Sequence, residues 1–494
     1  MKKIISLALA MMLILSLVGT VSADETGSIT ISNIGSANTY SVYKVLDLES
    51  YDTASGAYSY KVNSAWTGFF AAGVGGLDYI TIDDAGYVTW TAAEDDATVA
   101  AFAKKALAYA KANGISATQS ITTTTETSIK FNNLALGYYL IDSTMGALCG
   151  LTTTNPDASI TAKNGAPTID KQVKEDSTSQ WGEENTADIG QIVEFRVTIN
   201  VHAGAENFRL HDTMSDGLTF KEVVSVEHVV PDVTTETATE GTHYTVHTTE
   251  GKEDSCTFEI KFSQDFCDHL EDNDKIVITY TAMLNRFAVT GVDGNTNKAH
   301  LDYGDDHTTS EDVTVTKTYG FEIFKTDSQH NPLQGAEFKI YDAAEGGNEV
   351  AVVPLMQADN ITPIVDAAGN PMYRRARADE TGVSIVISGA NGIVRVVGFD
   401  NGKYYLEETK SPLGYNQLTG RQLFTISDAD MYVSFNAGGI YDVGTGVQVI
   451  NKTGTMLPET GAMGTVLFVT FGVFVMLGTG VLLVTKKRMS MIED

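Results

Sequence analysis

The feature that most constrains this chain is a two-residue alternation. From Gly27 onward, Val, Thr, Ile and Tyr recur in short runs separated by Gly, Asn and Asp. Successive side chains of a strand point to opposite faces, so such runs read as half-buried strands, and many of them with turn residues between read as sandwiches. One segment breaks the period. Asp95 or Asp96 can cap a helix running through Ala112, with Val99, Phe102, Ala106 and Tyr109 on one face and Gly114 just past its end. The expectation is an all-β chain of tandem β-sandwich domains with one helix-containing insertion in the first.

The same alternation exposes an anomaly. In Phe321-Glu322-Ile323-Phe324-Lys325 it puts Phe321, Ile323 and Lys325 on one face. In Val447-Gln448-Val449-Ile450-Asn451 it groups Val447, Val449 and Asn451, and in Tyr404-Tyr405-Leu406-Glu407-Glu408 it groups Tyr404, Leu406 and Glu408. A Lys, an Asn and an acid therefore share apolar faces on three strands. An earlier stretch repeats the pattern: Ile169, Lys171 and Val173; Phe208, Leu210 and Asp212; Asn297, Ala299, Leu301 and Tyr303. Lys174 competes with Lys171, but it falls on the opposite parity.

Burial disfavours the charged form of each group, so a lysine moves toward a neutral, nucleophilic amine and a carboxyl toward a neutral acid. Such an acid can donate a hydrogen bond to an Asn amide oxygen and polarise its carbon. With the reactants held at contact distance, attack gives a Lys–Asn isopeptide bond with loss of ammonia. The alternative is a buried Lys–acid pair beside a hydrogen-bonded Asn, with no chemistry.

Both ends carry processing signals. Lys2 and Lys3 precede the apolar stretch Ile4 to Val18, and Val21-Ser22-Ala23 is a small-residue cleavage site, so residues 1–23 read as a secretory signal. Near the other end, Leu457-Pro458-Glu459-Thr460-Gly461 precedes an uncharged apolar run from Ala462 to Thr485, then Lys486-Lys487-Arg488. That run is long enough to cross a hydrocarbon core of ~30 Å as a helix, with the basic cluster holding the tail inside. The net charge of −30 argues against nucleic acid as a partner. Only three cysteines occur, a poor disulfide framework for an exported chain, and Cys256 and Cys267 read as opposite ends of one strand segment. The nine histidines are scattered and no metal-ligand spacing, phosphate loop or nucleophile–His–acid set is evident, so no metal, cofactor or enzymatic turnover is expected.

These motifs carry a resemblance. The pentapeptide, apolar span and charged tail resemble the cell-wall sorting signal of Gram-positive surface proteins, which a sortase cleaves after the Thr. Tyr404 to Tyr415 matches the E box of Gram-positive pilins, and with Lys325-Thr326-Asp327 and Leu333 to Phe338 it resembles the collagen-adhesin B-type Ig-like domain. Pro167 to Lys171, Phe208 to Asp212 and Asn297-Lys298-Ala299 resemble the isopeptide-forming second domain of fimbrial shaft subunits. The resemblance implies tandem Ig-like domains: 24–165 N-terminal, 166–315 middle and 316–455 C-terminal, followed by the sorting signal and a transmembrane helix of the precursor at 456–494. It implies bonds Lys171–Asn297 and Lys325–Asn451, promoted by Asp212 and Glu408. Shaft pilins offer the sortase acyl-enzyme a lysine at the first domain junction. Here Lys163-Asn164 fits, although Ala162 and Thr161 replace the usual Pro and Tyr.

The reading that follows is the major subunit of a pilus on the cell wall, joined from Thr460 to Lys163 of the next copy. Its partners would be a sortase, other copies of itself, minor pilins and peptidoglycan, with the membrane involved only in the precursor. Two alternatives stay open: an unpolymerised wall-anchored adhesin, binding a host or bacterial surface ligand through the insertion Ala344 to Ser388, and a minor or basal pilin. That insertion is expected to form extra hairpins or a protruding loop. Finally, the phrase Phe131 to Asp142 recurs as Val397 to Glu408, which predicts related sandwiches at both ends.

Overall fold

The computed structural model describes residues 19–20 and 26–490 apart from 36–37, 53–56, 146–149, 154–156, 163–164, 203–205, 358–360, 366–368, 371, 383–384, 428–432, 437–438, 444–445 and 456–460. Strands dominate, and the all-β sandwich reading holds. Buried apolar side chains gather in separate cores, each drawn from one stretch of chain. The first stretch supplies two adjoining clusters, one around Ile29, Tyr40, Phe131 and Tyr139 and one around Trp66, Phe69, Phe102 and Leu140. The second core runs from Val173 to Tyr303 and the third from Tyr319 to Val449.

The helix forms where the capping residues predict it. Asp95 accepts a hydrogen bond from the Thr98 amide at 2.7 Å, the helix spans Asp96–Asn113, and Gly114 closes it in the left-handed conformation at φ 65°. Its buried stripe is rotated slightly from the expected one. Phe102, Ala103, Ala106, Leu107 and Ala110 face inward, while Val99 and Tyr109 sit at the margin. Small alanines win the centre because the helix lies against bulky rings, with Tyr79 and Trp90 each meeting Phe102 at 5.3 Å between centroids.

The recurring phrase is a corner between sheets in both places. Ser128–Ala135 pairs with Thr26–Ser32, whereas Gly137–Ser143 crosses to pair with Thr39–Asp52. Ile393–Phe399 and Gly402–Lys410 likewise lie in different sheets. Each corner is tied by a tyrosine hydroxyl donating to the carbonyl four residues back, Tyr139 to Ala135 at 2.7 Å and Tyr404 to Asp400 at 3.2 Å. Counted from those tyrosines, the position of Glu408 is held by Ser143 in the first sandwich, so the acid is missing there.

The boundary expected between 315 and 316 falls inside a strand. Asp312–Asp327 runs unbroken, pairing first with Gly291–Tyr303, then with Ile393–Phe399 and, in parallel, with Val447–Asn451. Asp188 adds a second tie, accepting from the Asp400 amide at 2.8 Å and pairing with Arg375 at 3.0 Å. Gly398 (φ 83°) is required at this contact, since a Cβ there would sit 2.5 Å from Ile189. The insertion 344–388 contributes three short strands to the sheets, including the expected extra hairpin. Val352–Pro354 and Met372–Arg375 form a hairpin whose second strand joins Ile393–Phe399, and Val386–Ile387 pairs with Glu337–Tyr341.

Cys256 and Cys267 are buried free thiols, but not on one strand: Cys256 precedes Phe258–Phe262 and Cys267 lies in the short helix Gln264–Asp268. Cys149 lies outside the described residues. The last element is the helix Gly461–Ser490, of which Thr465–Met489 is long and apolar enough to cross a membrane, with its large apolar side chains exposed.

Candidate functional site

The structure gathers both predicted trios. In the last sandwich, Lys325 stands on Asp312–Asp327, and its parallel neighbour Val447–Asn451 carries Asn451 two residues beyond the position opposite Lys325. Glu408 reaches the pair from the facing sheet. All three are at most 2% exposed. Lys325 Nζ donates to Asn451 Oδ1 and, at 3.2 Å, to the Val449 carbonyl; Glu408 Oε1 is 3.6 Å away. The Asn451 amide donates to both Glu408 oxygens at 2.9 and 3.0 Å. Burial lowers the lysine pKa, against the pull of Glu408.

In the middle sandwich, Lys171 comes from one sheet, and Asp212 and Asn297 from adjacent strands of the other. All three are at most 1% exposed. Lys171 Nζ is 2.6 Å from Asp212 Oδ2 and lies 5.5 Å from the centroid of the Phe195 ring. Burial lowers the Lys171 pKa and raises that of Asp212, each shift opposed by the partner's charge. Lys174 occupies the outer face, half-exposed and paired with Glu194 at 3.2 Å.

Sequence parity missed the fourth member, Tyr280. Its hydroxyl accepts from Lys171, donates to Asp212 at 2.5 Å and accepts from the Asn297 amide at 3.1 Å, so it stands at the centre of the group. Burial and the neighbouring carboxylate both raise its pKa, which keeps it a proton donor. The signal was present: in Lys275–Leu284 the inward positions are Ile276, Ile278, Tyr280, Ala282 and Leu284, and Tyr280 alone among them carries a polar tip. Asn297 Oδ1 accepts no hydrogen bond although it is buried. Parity also failed on Arg209–Met214, where Arg209, Leu210, His211 and Asp212 are all buried because both faces of that strand are covered.

The attachment residues are not placed. Lys163 and Leu457, Pro458, Glu459 and Thr460 lie outside the described residues, and Gly461 is described only as the first residue of the terminal helix. Beside Lys163, Ala162 is fully buried and its amide donates to the Ser32 carbonyl at 2.8 Å, so the preceding strand is anchored up to that point.

Among the described residues the chain is thus a row of sandwiches, two of them with a buried Lys–Asn–acid group, followed by a membrane-length helix. Residues 189–307 match the Gram-positive pilin backbone subunit 2, Cna-B-like domain; 320–438 match the SpaA prealbumin-like fold domain; 450–490 match the LPXTG cell wall anchor motif. The chain therefore carries a Gram-positive pilin backbone domain, a prealbumin-like domain and an LPXTG cell wall anchor motif, which puts it at the wall-anchored cell surface. It is 25% identical over 306 residues to the trypsin-resistant surface T6 protein of Streptococcus pyogenes serotype M6, covering 56% of this chain and 47% of the relative. It thus spans about half the length of that relative. Among solved structures, the T6 backbone pilin of serotype M6 S. pyogenes aligns at a TM-score of 0.48 and 18% identity, over 89% of this chain and 96% of the other. Full-length RrgB pilus protein of Streptococcus pneumoniae aligns at 0.47 and 17%, over 89% and 100%.

Proposed function

We propose that this chain is the major shaft subunit of a covalently assembled pilus, in which a sortase joins Thr460 of one copy to Lys163 of the next. In this reading 24–165, 166–315 and 316–455 are the three units of the shaft segment. The bonds Lys171–Asn297 and Lys325–Asn451 lock the last two. Minor pilins and peptidoglycan are the other attachment partners.

The observation that carries the reading is the repetition of one fully buried Lys–Asn–acid group in two successive pilin-type domains. A single buried ion pair is a costly accident, and two with an asparagine at each are a device. In the ground state at the last site the Asn451 amide presents nitrogen to Glu408 and oxygen to Lys325. Turning that amide over exchanges the two atoms. With one proton moved from Lys325 to Glu408, the carboxyl then donates to the oxygen while the freed amine Nζ attacks Cγ. The Nζ–Cγ bond forms, the Cγ–Nδ2 bond breaks, and the carboxyl passes the lysine's proton to the departing ammonia. At the middle site Tyr280 sits where that relay would pass.

Lys163→Ala tests polymerisation. Wall extracts of cells with the partner sortase should show a high-molecular-weight ladder for the wild type and single subunits for the variant, while deletion of Leu457 to Gly461 should leave the chain in the membrane. A full ladder from Lys163→Ala moves the acceptor to another lysine. A single band from the wild type returns the protein to the unpolymerised class.

A further inference from the structure

His211 and Asp212 are neighbours on one strand, so their side chains leave opposite faces. Asp212 enters the Lys171 site. His211 goes the other way and is 2% exposed, and its two ring nitrogens face carboxylates at 3.2 Å, Asp254 from Nδ1 and Asp302 from Nε2, without an aligned hydrogen bond among the described residues. A buried imidazole ringed by carboxylates on both nitrogens, with neither contact aligned as a hydrogen bond, is better satisfied if a cation takes one of those nitrogens.

Its surroundings say what that is. Strand register places His211 directly opposite Glu259 on one side and His300 on the other. His211 Nδ1 is 3.2 Å from Asp254 Oδ2 and 3.6 Å from Glu259 Oε1, and Cys256 Sγ is 3.7 Å from the same Glu259 oxygen. These four atoms, one nitrogen, one sulfur and two oxygens, all lie within 4.8 Å of one another. Tetrahedral zinc with bonds of ~2.0–2.3 Å sets its ligand atoms about 3.3–3.8 Å apart, close to the spacings of 3.2, 3.6 and 3.7 Å, and the 4.8 Å bound on the set leaves only a small contraction on binding. The ligands are already held. The Cys256 amide fixes Asp254 Oδ1 at 2.8 Å, leaving Oδ2 for the cluster; the Glu253 amide and Arg209 hold the two Glu259 oxygens at 2.6 and 2.9 Å. On the far side of the ring, Asp302 Oδ2 lies 3.2 Å from Nε2, the place of the carboxylate that orients a metal-bound histidine. His300 stacks on His211 at 4.6 Å between centroids.

We propose that His211, Asp254, Cys256 and Glu259 form a structural zinc site on the outer face of the middle sandwich. Thiolate and imidazole select a borderline first-row ion over calcium or magnesium. Binding displaces the Cys256 thiol proton to solvent, and Arg209 balances the one surplus negative charge of the Zn²⁺ complex with a thiolate and two carboxylates. The site staples the turn 252–257 to the strand that carries Asp212 and shields a thiol in an exported protein. Sequence reading passed over it because His211 is far from the Asp254-x-Cys256-x-x-Glu259 run in the chain.

The test uses the full chain in detergent, stripped with a chelator and titrated with Zn²⁺ against a chromophoric competitor, with Co²⁺ as the spectroscopic probe and Ca²⁺ as the control ion. One equivalent of zinc should bind, and Co²⁺ should give a thiolate charge-transfer band that Cys256→Ser abolishes. The Asp254 side chain is 43% exposed, so Asp254→Asn keeps the fold, verified by circular dichroism, and should weaken zinc at least tenfold. Asp302→Asn should also weaken it about tenfold by loosening the ring. Less than a tenth of an equivalent, a cobalt spectrum without the thiolate band, preference for Ca²⁺, or uptake unchanged in Asp254→Asn and Cys256→Ser would each overturn the site.

Discussion

In the last sandwich the lysine and asparagine stand on neighbouring parallel strands of one sheet, and the acid reaches them from the other sheet. In the middle sandwich the lysine stands alone on one sheet and faces an acid and an asparagine carried by adjacent strands of the opposite one. A bond at the first site fixes two strands side by side. At the second it ties the two sheets across the core. The local chemistry differs accordingly. Lys325 already touches the Asn451 oxygen and has a carbonyl in reach, whereas Lys171 reaches its asparagine through Tyr280 and Asp212. One trio of residue types is thus mounted in two ways, and the more crowded mounting needs an added proton carrier.

The sharpest test of that contrast removes the acids. Asp212→Ala removes the carboxylate bonded to the Lys171 amine, leaving a buried amine with a phenol, and should cost about 3–5 kcal/mol for the orphaned charge in addition to the missing cross-link. Glu408→Ala should cost less, because Lys325 keeps two oxygen acceptors. Scanning calorimetry on the full chain reads the two transitions, and a larger loss for Glu408→Ala would reverse the comparison.

Next in size is the loss of each bond alone. Lys325 and Asn451 are 126 residues apart in sequence, and closing a loop of that length contributes about 5 kcal/mol on the chain-entropy account of a cross-link. Lys171→Met and Lys325→Met should each lower one melting transition by that order, and Asn451→Ala should do so in the last domain. Intact mass gives the direct reading. The wild type should be light by two ammonias and each lysine variant by one. A wild type at its full sequence mass would remove the isopeptide reading from both sites.

Tyr280→Phe should act on one site only. It removes a hydroxyl with three polar contacts, for about 1–3 kcal/mol in the middle transition. Mass spectra early after synthesis should show a slowed loss of the middle ammonia with the last one normal. Equal rates for variant and wild type would leave Tyr280 a packing residue.

The smallest expected effect lies away from both sites, where the first and middle sandwiches meet. Burial pushes Asp142 up to about 6 and Glu206 up to about 7, with Lys111, Lys104 and Asp305 around them. The folded state therefore binds more protons than the unfolded state between about pH 4 and 7, and stability declines as pH rises through that window. The transition of these two domains should rise by a few degrees between pH 7 and pH 5. Asp142→Asn should flatten the profile, and a fall on acidification would contradict the burial argument.

How much was legible varies with the strand. On Asp312–Asp327 and Val447–Asn451 the inward residues of the trio could be read by counting in twos, because at those positions one face is core and the other is not. On Arg209–Met214 the counting fails, since a second layer covers the outer face and His211 is as buried as Asp212. Tyr280 was overlooked for the opposite reason: a tyrosine on an inward parity is ordinary core, and only its contacts make it chemical.

The sequence by itself determined the strand periodicity, the helix caps, the sorting signal and the residue types available for cross-linking, because these depend on neighbours within a few positions. Tertiary structure alone decided that the boundary at 315/316 falls in a continuous strand, that Lys325 and Asn451 share one sheet while Lys171 and Asn297 face each other across two, and that His211 meets the 254–259 run. Those are pairings between segments tens to more than a hundred residues apart. A two-residue period says which face a side chain takes and nothing about which strand will stand beside it.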